Sequence, residues 1–356
     1  MTEQTTPGAL MRAEIAEQPE RWLELGATPQ GVAEAARLVR ERGVNAVMLA
    51  ARGTSDHAAI YGQYLIQTQL GIPAHLAAPS MATVYHRDVT SPSTLVVVLS
   101  QSGQSPDLVE TVRSARRSGS PTIAITNDPS SPLATGVDVH IPICAGAERS
   151  VAATKSYTGE LLALYLWVQE LLGTSPDTVT SRLVHVARAG RAVHERSQPL
   201  ARSIAVELGD ADRALVLGRG YGLATAREAA LKLTETCAVA ASGWSAADAK
   251  HGPLAQVVEG TPVFCLRGAT AGRESVDMLA PDLRARGARV WSTRVEPDVD
   301  ASAAPGRDFT IPSDVPDELV PLLEIIPFQL VALELSLARG LDPDRPRGLT
   351  KVTLTS

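Results

Sequence analysis

The chain carries one pattern twice, and this constrains its fold more than any other feature. Residues 213–218 repeat the apolar pattern of residues 45–50 at an offset of 168. Residues 261–266 repeat 94–99, residues 289–293 repeat 122–126, and the apolar stretch 328–339 repeats 161–172, each at an offset of 167. Four elements that hold one offset to within a residue mark two copies of one unit. With 356 residues, each copy can bury a core of its own. In both copies short apolar runs alternate with stretches of helical periodicity. That alternation specifies an α/β fold with a parallel sheet covered on both faces. Aromatic content is only 4%, so the cores must be built from Ala, Val, Leu and Ile.

In chain order, residues 1–10 read as a polar, disordered leader and 11–25 as helix interrupted at Pro19. A helix over 29–42 is closed by Gly43. The strand 45–50 leads through Arg52-Gly53-Thr54-Ser55-Asp56 into a helix over 58–70. Further strands are expected at 94–99, 121–127 and 138–143, and a strongly apolar helix at 161–172. The boundaries that follow are a leader and helix (1–28), a first domain (29–175), a helical connector (176–208), a second domain (209–342) and a tail (343–356).

The copies differ at one turn. The run of residues 94–98 is apolar throughout, as expected of a strand buried on both faces. After it come Ser100, Gln101, Ser102, Gly103, Gln104 and Ser105, and then a helix with Leu108, Val109, Val112 and Ala115 on one face. A hydroxyl-rich turn between a strand end and a helix start offers backbone N–H groups, the positive end of a helix dipole and side-chain donors. These suit a phosphate monoester. An ordinary loop with serine caps has the same composition. The second copy has Arg267, Gly268, Ala269 and Thr270 at this place, so only the first copy is equipped for phosphate. Ligands of open parallel sheets bind beyond the strand C-termini, where Arg52, Gly53, Thr54, Ser55 and the Ser100–Ser105 turn all lie.

A net charge of −6 with no basic cluster argues against nucleic acid. No apolar run approaches the ~20 residues of a membrane span, and the N-terminus has no signal-peptide core. Three scattered cysteines suggest a reducing cytoplasm, with no disulfide framework and no metal site. The basic residues are more informative. Of 33, only Lys155, Lys232, Lys250 and Lys351 are lysine. Where arginine serves as the general surface cation, a retained lysine marks a place where arginine cannot substitute. Lysine can lose its proton and attack a carbonyl.

Six motifs occur in order: Gly53-Thr54-Ser55; Ser100-Gln101-Ser102-Gly103-Gln104-Ser105; Val151-Ala152-Ala153-Thr154-Lys155; Glu228-Ala229-Ala230-Leu231-Lys232-Leu233-Thr234-Glu235; Lys250-His251-Gly252-Pro253; and Leu349-Thr350-Lys351. The set resembles the tandem sugar isomerase (SIS) domain family, in the arrangement of the isomerase half of glucosamine-6-phosphate synthase. The resemblance covers nearly all of the chain from about Met11. It implies two three-layer α/β/α sandwiches around mainly parallel, flavodoxin-like sheets. Two departures stand out. No glutaminase domain with an initiating cysteine is visible, and Ala153 stands where the family often has Ser. The profile is similar to SIS-type glucosamine-6-phosphate deaminases and fructosamine-phosphate deglycases.

Interconverting an amino-aldose phosphate and a ketose phosphate needs ring opening, a proton moved between C2 and C1, and loss or gain of an amine. Glu228, Lys232 and Glu235 share one helix face by spacing. The resemblance implies that Glu235 shuttles the C1/C2 proton while Lys232, partnered by Glu228, holds the charge of the site. It implies that His251 opens the ring, from a loop that can reach a neighbouring subunit, hence a homodimer. It implies that Lys351 forms a Schiff base from a tail folded over the sugar, which Val151 and Ala153 line. Lys155 reads as structural. No cofactor is implied. The expected ligand is a small-molecule sugar phosphate, with no nucleic acid and no membrane. The alternatives are a deglycase and, in another class, a sugar-phosphate sensor without turnover.

Overall fold

The computed structural model describes residues 6–268, 270–296 and 307–351. They form two compact units. One comprises Glu20–Glu148 and Lys155–Val184. The other comprises the described residues up to Pro19, Arg149–Thr154 and His185–Lys351.

The first unit is built on five parallel strands: β1 (Ala46–Ala50), β2 (Ala74–Leu76), β3 (Thr94–Ser100), β4 (Thr122–Thr126) and β5 (Val139–Pro142). Their order is β2-β1-β3-β4-β5. β3 is central and buried from Leu95 to Ser100. The other unit holds β6 (Arg213–Gly218), β7 (Ala240–Ser245), β8 (Pro262–Cys265), β9 (Arg289–Glu296) and β10 (Asp308–Pro312), also parallel, in the order β7-β6-β8-β9-β10. Renumbered by copy, the two orders are the same, so the repeat in sequence is a repeat in space. Even the first strand-to-helix turn is reproduced. Gly53 has φ 57 and ψ −130, and Gly220, 167 residues on, has φ 59 and ψ −128. Glycine alone adopts such a pair without strain.

Each copy has one helix buried nearly all round, Lys155–Leu172 and Val320–Ala338. They pack on the Thr54–Leu70 and Tyr221–Cys237 helices respectively. Val320–Ala338 corrects one expectation. Glu324, Gln329 and Glu334 interrupt its apolar run, yet its mean hydropathy is 1.7 and its length would cross a membrane. Burial of 89% of that window identifies a core helix.

The N-terminus differs from expectation as well. Helix starts at Ala9, inside the stretch read as a disordered leader, and runs unbroken to Ala27 with Pro19 inside it. Residues 1–5, like the last five of the tail, lie outside the described residues. Proline at position 19 cannot donate to the carbonyl of Ile15. Gln18 supplies the missing donor, since its Nε2 donates to that carbonyl at 3.0 Å. The same amide donates to Gln329 Oε1 at 2.8 Å, and Gln329 Nε2 donates to the Thr154 carbonyl at 3.4 Å. Gln18 and Gln329 are fully buried. Gln18→Ala should therefore strand two buried acceptors and destabilise the chain by ~1–3 kcal/mol in urea unfolding. A change no larger than that of an exposed Gln→Ala substitution would show that neither bond matters.

Candidate functional site

β3 delivers Ser100, buried, to the start of the hydroxyl-rich turn. Gly103 sits at φ +64, and a Cβ there would lie 2.1 Å from Ser131 Oγ, so no other residue fits the bend. Ser100 Oγ accepts the Gly103 N–H at 3.1 Å, and Ser102 Oγ accepts the Gln104 N–H at 3.3 Å. A hydroxyl that accepts keeps its own proton to donate. Gln101, Ser102 and Ser105 are half-buried and Gln104 is exposed. Ser105 is the N-cap of the Pro106–Arg117 helix but makes no side-chain capping bond. The reading as an ordinary serine-capped loop is thus not what Ser105 does.

Around the turn, Gly53 is exposed and Thr54 half-buried. Ser55 faces inward, and its hydroxyl donates to buried Glu160 at 2.7 Å. That bond commits the hydroxyl to the fold. Arg52, which the sequence places with Gly53, Thr54 and Ser55 beyond the strand end without a role of its own, has its Nε donating to buried Asp107 Oδ2 at 2.7 Å. The pairing sets an exposed guanidinium beside the turn. Its signal was the Arg-Gly pair repeated at Arg219-Gly220.

The other unit carries the residues for which an acid–base role is expected from the sequence. On the Tyr221–Cys237 helix, Lys232 Nζ lies 3.3 Å from Glu228 Oε1 and 2.6 Å from Glu235 Oε2. The Lys232 and Glu228 side chains are fully buried, and that of Glu235 is 23% exposed. Burial alone would lower the pKa of the ammonium. The two carboxylates outweigh it and hold Lys232 above the ordinary lysine range. It is therefore a fixed cation, and Glu235 is the member of the trio that opens to solvent. The same unit contains the Arg149–Thr154 segment with half-buried Val151 and Ala153. His251 is exposed on the turn after the Ala246–Ala249 helix, its N–H donating to the Asp248 carbonyl at 2.9 Å. Lys351 is half-buried in a loop of this unit.

The second copy's equivalent of the serine turn is filled from within. Ala269 lies outside the described residues, but its neighbours show how. Glu324, buried, accepts the Gly268 N–H at 2.7 Å and the Thr293 hydroxyl at 2.5 Å. Asp317 accepts the N–H groups of Thr270 (2.8 Å) and Ala271 (3.0 Å). Among the described residues, two carboxylates of the chain thus take three backbone donors of this turn.

The model of the SIS domain family matches residues 42–169 and 207–339, so the chain belongs to the SIS domain family, and its domains are of the sugar-phosphate isomerase type. It is 34% identical over 321 residues to a glutamine–fructose-6-phosphate aminotransferase (isomerizing) from Leifsonia xyli subsp. xyli, a match covering 87% of this chain and 52% of that protein. The chain spans about half the length of the relatives it matches. Among solved structures, the C-terminal domain of glucosamine-fructose-6-phosphate aminotransferase from Francisella tularensis superposes with a TM-score of 0.85 at 23% identity, covering 97% of this chain and 99% of that one. A glucosamine-6-phosphate deaminase from Thermotoga maritima gives 0.78 at 22% identity, covering 98% and 100%. At these identities the two structures attest the fold.

The internal carboxylate of the second copy has a measurable consequence. Burial pushes Glu324 up to about 7, with the bonds from Thr293 and Gly268 offsetting part of the effect. Between its ordinary value of 4.5 and 7 the folded chain therefore binds more protons at Glu324 than the unfolded chain. The contribution of this group to stability falls as pH rises through that window and levels off above it. Glu324→Gln keeps an acceptor for both donors and cannot ionise. Relative to the wild type it should gain roughly 3 kcal/mol between pH 5 and pH 8, because each tenfold difference in proton affinity is worth about 1.4 kcal/mol. Urea midpoints measure this, and a pH-independent difference would contradict the raised value.

Proposed function

We propose that the protein is an amino-sugar phosphate isomerase of the deaminating kind, converting glucosamine 6-phosphate and water to fructose 6-phosphate and ammonia. The observation that carries this reading is Glu235. Its carboxylate is partly exposed and is held 2.6 Å from an ammonium that cannot leave or discharge. Such a carboxylate stays oriented while it takes a proton from one carbon and returns it to the next. Family membership and the 34% identity to a glutamine–fructose-6-phosphate aminotransferase (isomerizing) give further support.

In this reading the Ser100–Ser105 turn, with Gly53 and Thr54, binds the phosphate, and Gln101 and Ser102 reach it best. His251 gives a proton to the ring oxygen as the C1–O5 bond breaks, and the C1 hydroxyl releases its own proton, which leaves the open-chain C1 aldehyde. Glu235 takes the C2 proton while O1 is protonated, which gives an enolamine, and returns the proton to C1 as the nitrogen gives one up, which leaves a C1 hydroxyl and an imine at C2. The Lys351 amine attacks that carbon, ammonia departs, and water hydrolyses the resulting ketimine to free lysine and the ketose. Lys232 and Glu228 keep Glu235 in place, and Val151 and Ala153 line the sugar. A homodimer belongs to the reading and is measured by analytical ultracentrifugation.

Incubation with glucosamine 6-phosphate should release ammonia and fructose 6-phosphate in equal amounts. Release of an amine from a fructosamine 6-phosphate in its place would identify a deglycase. Ligand-induced thermal stabilisation without product would identify a sensor. Lys351→Ala should cut kcat at least 100-fold and leave phosphate-dependent binding mostly intact. Ser102→Ala should instead raise KM several-fold with kcat little changed. Normal turnover by Lys351→Ala rules out the Schiff base.

A further inference from the structure

Three remote segments of one unit meet at a buried aspartate. Asp344 is 3% exposed. Its carboxylate accepts the N–H groups of Leu10 (3.0 Å) and Met11 (2.8 Å) in the first turn of the Ala9–Ala27 helix. Those donors have no partner within their own helix, and an anion there also suits the helix dipole. The backbone carbonyl of Asp344 accepts the Val151 N–H at 3.1 Å. Its own N–H donates to Asp342 Oδ1 at 3.1 Å, which also accepts the Gly8 N–H at 3.3 Å. One turn beyond Leu10, Glu14 accepts the N–H groups of Arg149 and Ser150. Ser150 Oγ donates to the Pro343 carbonyl at 3.5 Å. The segment leading to Val151 is therefore bonded to the first helix and to residues 343–344 at once.

We infer that Asp344 is a positioning residue for the proposed reaction. It fixes the Val151 segment and, seven residues before Lys351, the point from which the tail departs. The inference rests on the roles given above to Val151 and Lys351. Asp344 has no contact with reacting atoms in that scheme and acts through these two residues.

The test uses Asp344→Ala and Asp344→Asn in the full chain. Limited trypsin digestion should cut after Arg347 at least tenfold faster in Asp344→Ala than in the wild type, with circular dichroism unchanged. Should Asp344→Ala fail to fold, Asp344→Asn, which keeps one acceptor, should fold and show intermediate cutting. In a folded variant, kcat should fall at least tenfold. A double-mutant cycle with Lys351→Ala then separates positioning from general stabilisation. Removing Asp344 should cost much less in the Lys351→Ala background than in the wild type, because no lysine is left to position and only the Val151 segment is still disturbed. Losses in kcat that multiply would overturn the positioning role. Unchanged trypsin cutting in a folded variant overturns the inference whatever the activity. A wild-type chain inactive on both sugars would count against the functional reading alone, since proteolysis still decides whether Asp344 holds the tail.

Discussion

Lys232 carries a positive charge with no surface open to water, and much of its unit is arranged to make that tolerable. An ammonium taken out of water loses more hydration energy than any single contact restores. The Tyr221–Cys237 helix answers by placing one carboxylate a turn before the lysine and another a turn after it. Because all three residues share a helix face, the geometry comes from the regular backbone and not from a loop. The helix in turn is fixed by the glycine turn at Gly220 and by the buried Val320–Ala338 helix against which it packs. Stability alone does not account for such an array, since apolar residues of similar volume generally serve a core as well or better. An array whose one open end is a carboxylate is better understood by what that carboxylate does.

The duplicated fold shows how two copies of one backbone come to hold different chemistry. Strand order and the Gly53/Gly220 turn are the same in both. After the third strand of each sheet, in order of sequence, they part. In the first copy Ser100 and Ser102 accept backbone N–H groups and keep protons of their own. In the second, Glu324 and Asp317 take the backbone donors of the turn. A turn held by its own hydroxyls and one held by the chain's own carboxylates are thus built on the same frame.

Much of this was legible in the sequence, for reasons that differ by element. The inner strands β1, β3, β4, β6 and β8 announced themselves because burial on both faces demands apolar runs. β9, which carries Ser292 and Arg294, was found by its place in the repeat, and the edge strand β5 by its own pattern at 138–143. The other edge strands, β2, β7 and β10, were not seen, since an edge is paired on one side only and carries a weaker pattern: His75 in β2, Ser242 and Gly243 in β7, Asp308 in β10. Helical spacing predicted the grouping of Glu228, Lys232 and Glu235, but it could not distinguish a solvated ion pair from a fully buried one. Pro19 was read as a helix break because the compensating amide of Gln18 depends on tertiary partners. Asp344 and Glu14 were invisible for the same reason, since they bond to residues more than a hundred positions away.

The scarcity of lysine gave a sharper signal than any motif taken alone, and the structure explains why. Lys155 and Lys232 are buried, Lys351 is half-buried, and only Lys250 is an exposed cation. At position 232 a compact ammonium fits between two carboxylates at 3.3 and 2.6 Å, where a planar guanidinium would need a wider opening. The same two carboxylates keep Lys232 protonated, and a protonated amine has no lone pair for a carbonyl. The lysine that is most firmly held is therefore unfit to be the nucleophile. In the proposed reaction that role falls to Lys351, which stands outside the Glu228–Glu235 clamp and has Asp344 to fix where its segment begins. Burial between two carboxylates thus assigns Lys232 to holding charge and takes it out of the competition for the nucleophile's place.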